Sequence, residues 1–178
     1  LIRPGIASIL PPSAGIHQEW MTSSSGAVTS RLTGTPAGAR IVSTALNLPG
    51  PVACARLCEL GAQLDKVEPP EGDPLERYCG DWYRALHAGA SVNRLDLKTE
   101  GARRTMGSLL AGADLLVTAQ RPAALARIGL DPESLAAYPR LCHLSILGHA
   151  PPHEDVAGHD LTYLATQGLV RPPRMPPT

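Results

Sequence analysis

Residues 148–160, GHAPPHEDVAGHD, bring His149, His153 and His159 together with Glu154, Asp155 and Asp160 inside twelve positions. Imidazoles and carboxylates at that density mark a candidate site. A metal centre would require two or three of these side chains to converge. The Pro151–Pro152 step denies them the i,i+4 helical His pair of HExxH zinc enzymes, so no metal is expected. Asp160 opens a helical pattern, where a carboxylate ordinarily serves as an N-terminal cap. A chemical role for it needs support from outside its own neighbourhood.

Other residues able to do chemistry are more dispersed. Cys54, Cys58, Cys79 and Cys142 form no CxxC pair and no zinc-finger spacing. They read as reduced thiols, with Cys54 and Cys58 on one helix face as small hydrophobes. Gly50 lies in a loop, Asn47 to Pro51, that lacks both GxGxxG and GxxxxGK(S/T). There is no nucleotide fingerprint, and a tight turn is the ordinary role for this glycine.

Period and punctuation place these residues on alternating strands and helices. IVSTAL (41–46) reads as a strand, Asn47, Pro49 and Gly50 break it, and VACARLCELGA (52–62) has helical spacing closed by Gly61. QLDKVE (63–68) is a second strand, PPEGDP a turn, and the segment from Pro69 towards Ala90 a long connection holding Trp82 and Tyr83. VNRLDL (92–97) is a third strand, followed by a helix capped by Thr99, closed by Gly112 and carrying Met106, Leu109 and Leu110 on one face. Next come the strand ADLLVTA (113–119), short helices opened by Pro122 and Pro132, the strand RLCHLSIL (140–147), and a last helix with Leu161, Leu164 and Leu169.

This alternation predicts an α/β fold: a Rossmann-like, mostly parallel sheet of about five strands with helices on both faces. Residues 40–169 form the domain. Residues 1–39 are an irregular Pro/Gly/Ser-rich segment with one turn of helix near Glu19 to Met21, and 170–178 an irregular tail. Ligands in such sheets bind at the carboxyl ends of the strands. A site therefore belongs to the loops Asn47–Pro51, Pro69–Asp73, Ala119–Pro122 and Gly148–Asp160.

Composition narrows the partners. At 178 residues and 43% hydrophobic, the chain supports one domain with a real core. Sixteen basic residues balance sixteen acidic ones, which gives no bulk attraction to nucleic acid or an anionic membrane. Aromatics are scarce and Phe is absent, so bare bases find little stacking surface. No apolar run reaches a membrane span, and LIRPGIASILPPSAG is broken by Pro and Gly before a signal core develops. A soluble, cytoplasmic protein with no nucleic-acid or membrane partner is expected.

From Arg40 to Leu169 the chain resembles the N-terminal part of the class III CoA-transferases, the family of the formyl-CoA and carnitine CoA-transferases and α-methylacyl-CoA racemase. The resemblance rests on four blocks in the same order: PGPVACARLCELGAQLDKVEPPEGDP, LDLKTEGA, ADLLVTAQRPAALARIGLDPESLAAYPRLCHLSILG and GHDLTYLATQGL. It implies that Asp160 is the catalytic carboxylate. In the transferases this group attacks an acyl-CoA thioester, and in the racemase it handles the α-proton. GHD with Tyr163 stands closer to the racemase branch. The resemblance further implies CoA or acyl-CoA as substrate, no tightly bound cofactor, and ligand contacts from Gly50, Lys66, Arg94, Arg121 and His149.

Departures from the family pattern matter as well. Where the family carries a basic segment before LDLK, this chain reads HAGASVNR, leaving His87 and Arg94 nearby for the CoA phosphates. The Gly-aromatic-Gly turn reads Gly148, His149, Ala150, and Arg-Pro-Gly reads Arg121, Pro122, Ala123. Family members continue into a second domain, so the fold is expected to be truncated relative to them. The site would then be completed in a homo-oligomer or by a partner chain. A non-catalytic binding or regulatory subunit is the alternative.

Overall fold

The computed structural model describes residues 37–170. The N-terminal segment, with the helical turn expected near Glu19 to Met21, and positions 171–178 of the tail lie outside the described residues. The elements run β1 (Arg40–Ser43), α1 (Pro49–Glu59), β2 (Gln63–Glu68), α2 (Pro74–Tyr78), α3 (Gly80–Leu86), β3 (Ser91–Arg94), α4 (Glu100–Ala111), β4 (Leu115–Thr118), α5 (Pro122–Ile128), α6 (Pro132–Leu135), β5 (Cys142–Ser145) and α7 (Asp160–Thr166). All four strand pairings are parallel, in the order β3-β2-β1-β4-β5. This is the Rossmann-like α/β sheet that the alternation predicts.

The order reverses between β1 and β4, because the chain first builds outward through β2 and β3 and then crosses to the other side of β1. Parallel sheets of this kind open a crevice at that reversal, on the carboxyl side. Two apolar layers hold the sheet. On one face Val42, Val67 and Leu116 pack with Met106 and Leu110 of α4 and Leu125 of α5. On the other, Ile41, Leu64 and Val117 pack with Cys54 of α1. Each fully buried side chain of this size contributes about 1.5–3 kcal/mol.

Local chemistry explains most boundaries. The Thr99 hydroxyl accepts from the Ala102 N–H at 3.3 Å and Gly112 closes α4, as the sequence indicates. Asp131 accepts from the Glu133 and Ser134 N–H groups and starts α6. Three expectations are corrected. Pro49 and Gly50 do not break the chain before a helix but form its first turn, where a proline loses no hydrogen bond. The connection after Pro69 is not irregular; it holds α2 and α3, with Asp73 capping α2 through the Leu75 N–H and Pro74 at its first position. Asp160 is not the cap of α7 but its first residue, His159 being the cap. No helix among the described residues is long and apolar enough to cross a membrane.

Candidate functional site

β2 alternates Leu64, Lys66 and Glu68 onto one face, so a strand between β1 and β3 carries two charges inward. Both are fully buried. Buried charges persist only when paired and hydrogen-bonded, and the elements around β2 supply the partners. Lys66 Nζ donates to Asp73 Oδ2 at 2.9 Å and lies 3.1 Å from His87 Nε2. Tyr83 Oη donates to Glu68 Oε1 at 2.9 Å, and Arg94 Nε stands 3.5 Å from Glu68 Oε2. Arg94 also pairs with Glu76 of α2.

The protonation states follow from the partners. His87 Nδ1 faces the Tyr83 carbonyl at 2.8 Å, which only accepts, so Nδ1 carries the hydrogen. Nε2 is then a lone pair that accepts from Lys66. Burial, reinforced by the Lys66 charge, holds the His87 pKa below its ordinary value and keeps the ring neutral. Burial alone would raise the Asp73 pKa, but the bond from Lys66 and the backbone N–H groups of Leu75 and Asn47 outweigh it and lower the pKa. Burial and the bond to Glu68 push the Tyr83 phenol up to about 12.

This network frames a pocket. Asp73 joins the loop after β2 to the loop after β1 through the Asn47 N–H at 3.0 Å, and the Tyr78 hydroxyl donates to Asn47 Oδ1 at 2.6 Å. The pocket, of about 230 Å³, is walled by Thr44 and Leu46 after β1, residues 67–71 at the end of β2, residues 95–98 after β3, Gln120 after β4, and Ile128. Gln120 bridges the reversal point: its Nε2 donates to the Thr44 carbonyl at 2.7 Å, and its Oε1 accepts from the Thr44 hydroxyl at 2.9 Å. Among the described residues lining this pocket, Lys98 is the one cation.

The candidate residues fall into four groups. Lys66 and Arg94 share the buried network around Glu68, Lys66 inside it and Arg94 half-exposed at its edge. Gly50 is buried in α1, where an added Cβ would overlap that of Ala45, so its smallness serves packing. Arg121 is exposed at the cap position of α5, next to Gln120. His149 and Asp160 share the β5–α7 loop, with the Asp160 side chain 72% exposed. Asp160 Oδ1 accepts from the Leu161 N–H at 2.8 Å and touches His159 Nδ1. The Ala123 N–H meets Asp155 Oδ1 at 3.4 Å, tying this loop to the start of α5.

Glu68, Asp73, Tyr83, Thr44, Gln120 and Lys98 are site residues that sequence reasoning missed. A signal existed for one of them: Glu68 lies two residues after Lys66 and four after Leu64 on a strand, so all three share one face and charge falls on an inward side. No group of three or more His, Cys, Asp or Glu among the described residues is arranged to hold a metal ion. All four cysteines are unpaired, and burial pushes the Cys54 and Cys58 thiols up.

A parallel five-stranded sheet with a pocket at its carboxyl edge defines a Rossmann-like α/β domain. Residues 37–173 match CoA-transferase family III, and the chain belongs to that family. It is 31% identical over 147 residues to the cinnamoyl-CoA:phenyllactate CoA-transferase of Clostridium sporogenes, covering 75% of this chain and 36% of that protein. It is 35% identical over 136 residues to the succinyl-CoA:(R)-benzylsuccinate CoA-transferase subunit BbsE of Thauera aromatica, covering 68% of this chain and 33% of that subunit. The crystal structure of a CAIB/BAIF family protein from Brucella suis superimposes with a TM-score of 0.69 at 32% identity, over 75% of this chain and 39% of that one. The chain thus spans about a third of the length of the curated relatives it matches.

Proposed function

We propose that this chain provides the CoA-binding domain and the nucleophile, Asp160, of a class III CoA-transferase acting on acyl-CoA thioesters. The observation that carries this reading is the pocket at the carboxyl ends of β1 to β4, at the reversal of strand order, in a member of this family. Arg94, Arg121 and His149 lie at or near the surface and are the groups offered to the ligand, whereas Gly50 and Lys66 shape the loops from within. Acyl-CoA is substrate, and no tightly held cofactor takes part.

The Asp160 carboxylate attacks the thioester carbonyl carbon, the C–S bond breaks, and CoA departs as thiolate, leaving an acyl-aspartyl anhydride. The thiolate then attacks the aspartyl carbonyl of the anhydride, releasing the first acid as its carboxylate and leaving an aspartyl-CoA thioester. An acceptor carboxylate attacks that thioester, and the steps run in reverse to give the new acyl-CoA and free Asp160. Both contacts of Asp160 are made by Oδ1, so Oδ2 is the oxygen available to attack. A second chain, identical or different, completes the site. Support for this comes from one of its relatives, the BbsE protein of Thauera aromatica, being named as a subunit. Reduced thiols fit a cytoplasmic setting.

Incubation of the assembled protein, with any chain that copurifies, with acyl-CoA and hydroxylamine tests this directly. Asp160 is expected as its hydroxamate in the mass spectrum, absent from Asp160→Asn. Exchange of the substrate α-proton in deuterated water without trapped aspartate selects the racemase reading. CoA binding with neither product selects a non-catalytic subunit.

A further inference from the structure

The loop that leaves β5 at Gly148 returns to the same place at Gly158. A Cβ built on Gly148 would lie 3.7 Å from Gly158 Cα, and a Cβ on either glycine would overlap the Tyr163 hydroxyl. The phenol therefore fills the neck of the loop, and a Cβ on either glycine would have to displace it. The Tyr163 ring also meets His149 edge-on, with centroids 5.5 Å apart and an interplanar angle of 62°. Tyr163 is the half-buried side chain of α7, whose other members are all exposed.

Asp160 belongs to the same helical turn. The Tyr163 N–H donates to the His159 carbonyl at 3.1 Å, closing residues 159–163 into one unit. The phenol and the Asp160 carboxylate are thus carried by the same turn, and no other side chain of α7 is even half-buried.

We propose that Tyr163 is a positioning residue for Asp160: its phenol, wedged between Gly148 and Gly158, closes the loop and sets where the carboxylate stands beside the end of β5. This rests on the reading of Asp160 as the nucleophile. A nucleophile displaced by about 1 Å loses on the order of a hundredfold in rate, so the wedge contributes to the reaction without touching substrate.

The test uses the full chain with Tyr163→Ala, Gly158→Ala and the double variant, and three readouts. Amide hydrogen exchange at His153, Val156 and Leu161 reports the loop and the turn. The carbon-13 chemical shift of the Asp160 carboxyl, read by NMR, reports the surroundings of the carboxylate, which a merely structural role would leave in place. The hydroxylamine-trapping rate of the assembled protein with acyl-CoA, set beside CoA affinity by calorimetry, separates reaction from binding. Each single variant is expected to speed exchange, move the chemical shift and lower trapping by about ten- to a hundredfold at unchanged CoA affinity. Gly158→Ala should add nothing once Tyr163 is Ala, because the clash is gone. Variants trapped as fast as wild type, with exchange and chemical shift unmoved, overturn the role of Tyr163 and leave the nucleophile standing. An assembled wild-type protein never trapped at Asp160 overturns the nucleophile reading itself.

Discussion

The Lys66 ammonium and the Asp73 carboxylate meet at 2.9 Å with their side chains 1% and 0% exposed. One end of this pair is a sheet strand and the other the cap of α2, so a single contact fixes the loop that forms one wall of the pocket. Water does not reach it, and removing Lys66 leaves Asp73 as a buried charge with no cation beside it.

Lys66→Met is therefore expected to destabilise the chain by about 3–5 kcal/mol. Asp73 would retain the Leu75 and Asn47 N–H groups, and Glu68 would retain Tyr83, but neither replaces the lost cation. Urea unfolding should show a lower midpoint at unchanged slope. Lys66→Met combined with Asp73→Asn should cost less than the two single changes added together. Strict additivity would show that the pair is not coupled.

The same network, together with His143 of β5, which meets the Thr118 hydroxyl at 2.9 Å, sets a pH dependence in two stages. His87 and His143 have folded pKa values lowered from 6.5, chiefly by burial, so below 6.5 the unfolded chain binds protons that the folded chain does not. Their contribution is complete above 6.5 and is lost as pH falls from there toward the folded values. Asp73, lowered from 3.8, contributes above 3.8 and loses that contribution as pH falls from there through its folded value. Denaturant midpoints between pH 7.5 and 3 should thus decline in two steps. His87→Gln, which keeps an acceptor for Lys66, should shrink the first step and leave the second.

Gly50→Ala tests whether that glycine serves packing or ligand. The added methyl would overlap the Cβ of Ala45, which is fully buried. Overpacking of this kind costs about 1–3 kcal/mol. Ala45→Gly in the same chain should recover most of the loss in melting temperature. Failure of that compensation, together with lost CoA affinity, would return Gly50 to the ligand.

The legible parts of the fold are those where one local signal suffices. Thr99 and Gly112 bracket α4, and Asp131 with Pro132 starts α6, because cap and first turn are adjacent in sequence. α2 and α3 escaped because five and seven residues are too few to show a helical period, and Asp73-Pro74 reads equally as a turn or a cap. The site was less legible than the fold. Lys66 was singled out through a resemblance, but its partners arrive from a cap, from α3 and from its own strand, a convergence that only tertiary packing produces. Gln120 and Thr44 are 76 residues apart and meet because β4 pairs with β1. Tyr163 was noted for its place after GHD, while its wedge between two glycines depends on a loop closing in space.

CoA carries phosphates, and Lys98 is the one cation among the described lining residues, sharing the pocket with Glu68, Glu71 and Asp96. Arg94 stands close by, but its guanidinium is committed to Glu76 and Glu68. Under the CoA-binding reading, Lys98 therefore carries much of the pocket's attraction for the ligand. Lys98→Glu places a like charge beside the phosphates, and CoA affinity should fall by about tenfold at low salt, a change of about 1.4 kcal/mol. The loss should shrink as salt is raised, because exposed charges are screened beyond about 8–10 Å at physiological ionic strength. Folding should be little affected, since Lys98 is exposed and such substitutions usually stay within about 0.5 kcal/mol. Calorimetry at two salt concentrations, beside a thermal melt, separates these effects. Affinity unchanged at low salt would place the phosphates away from this wall, with the Arg121 guanidinium and the His149 imidazole left to receive them.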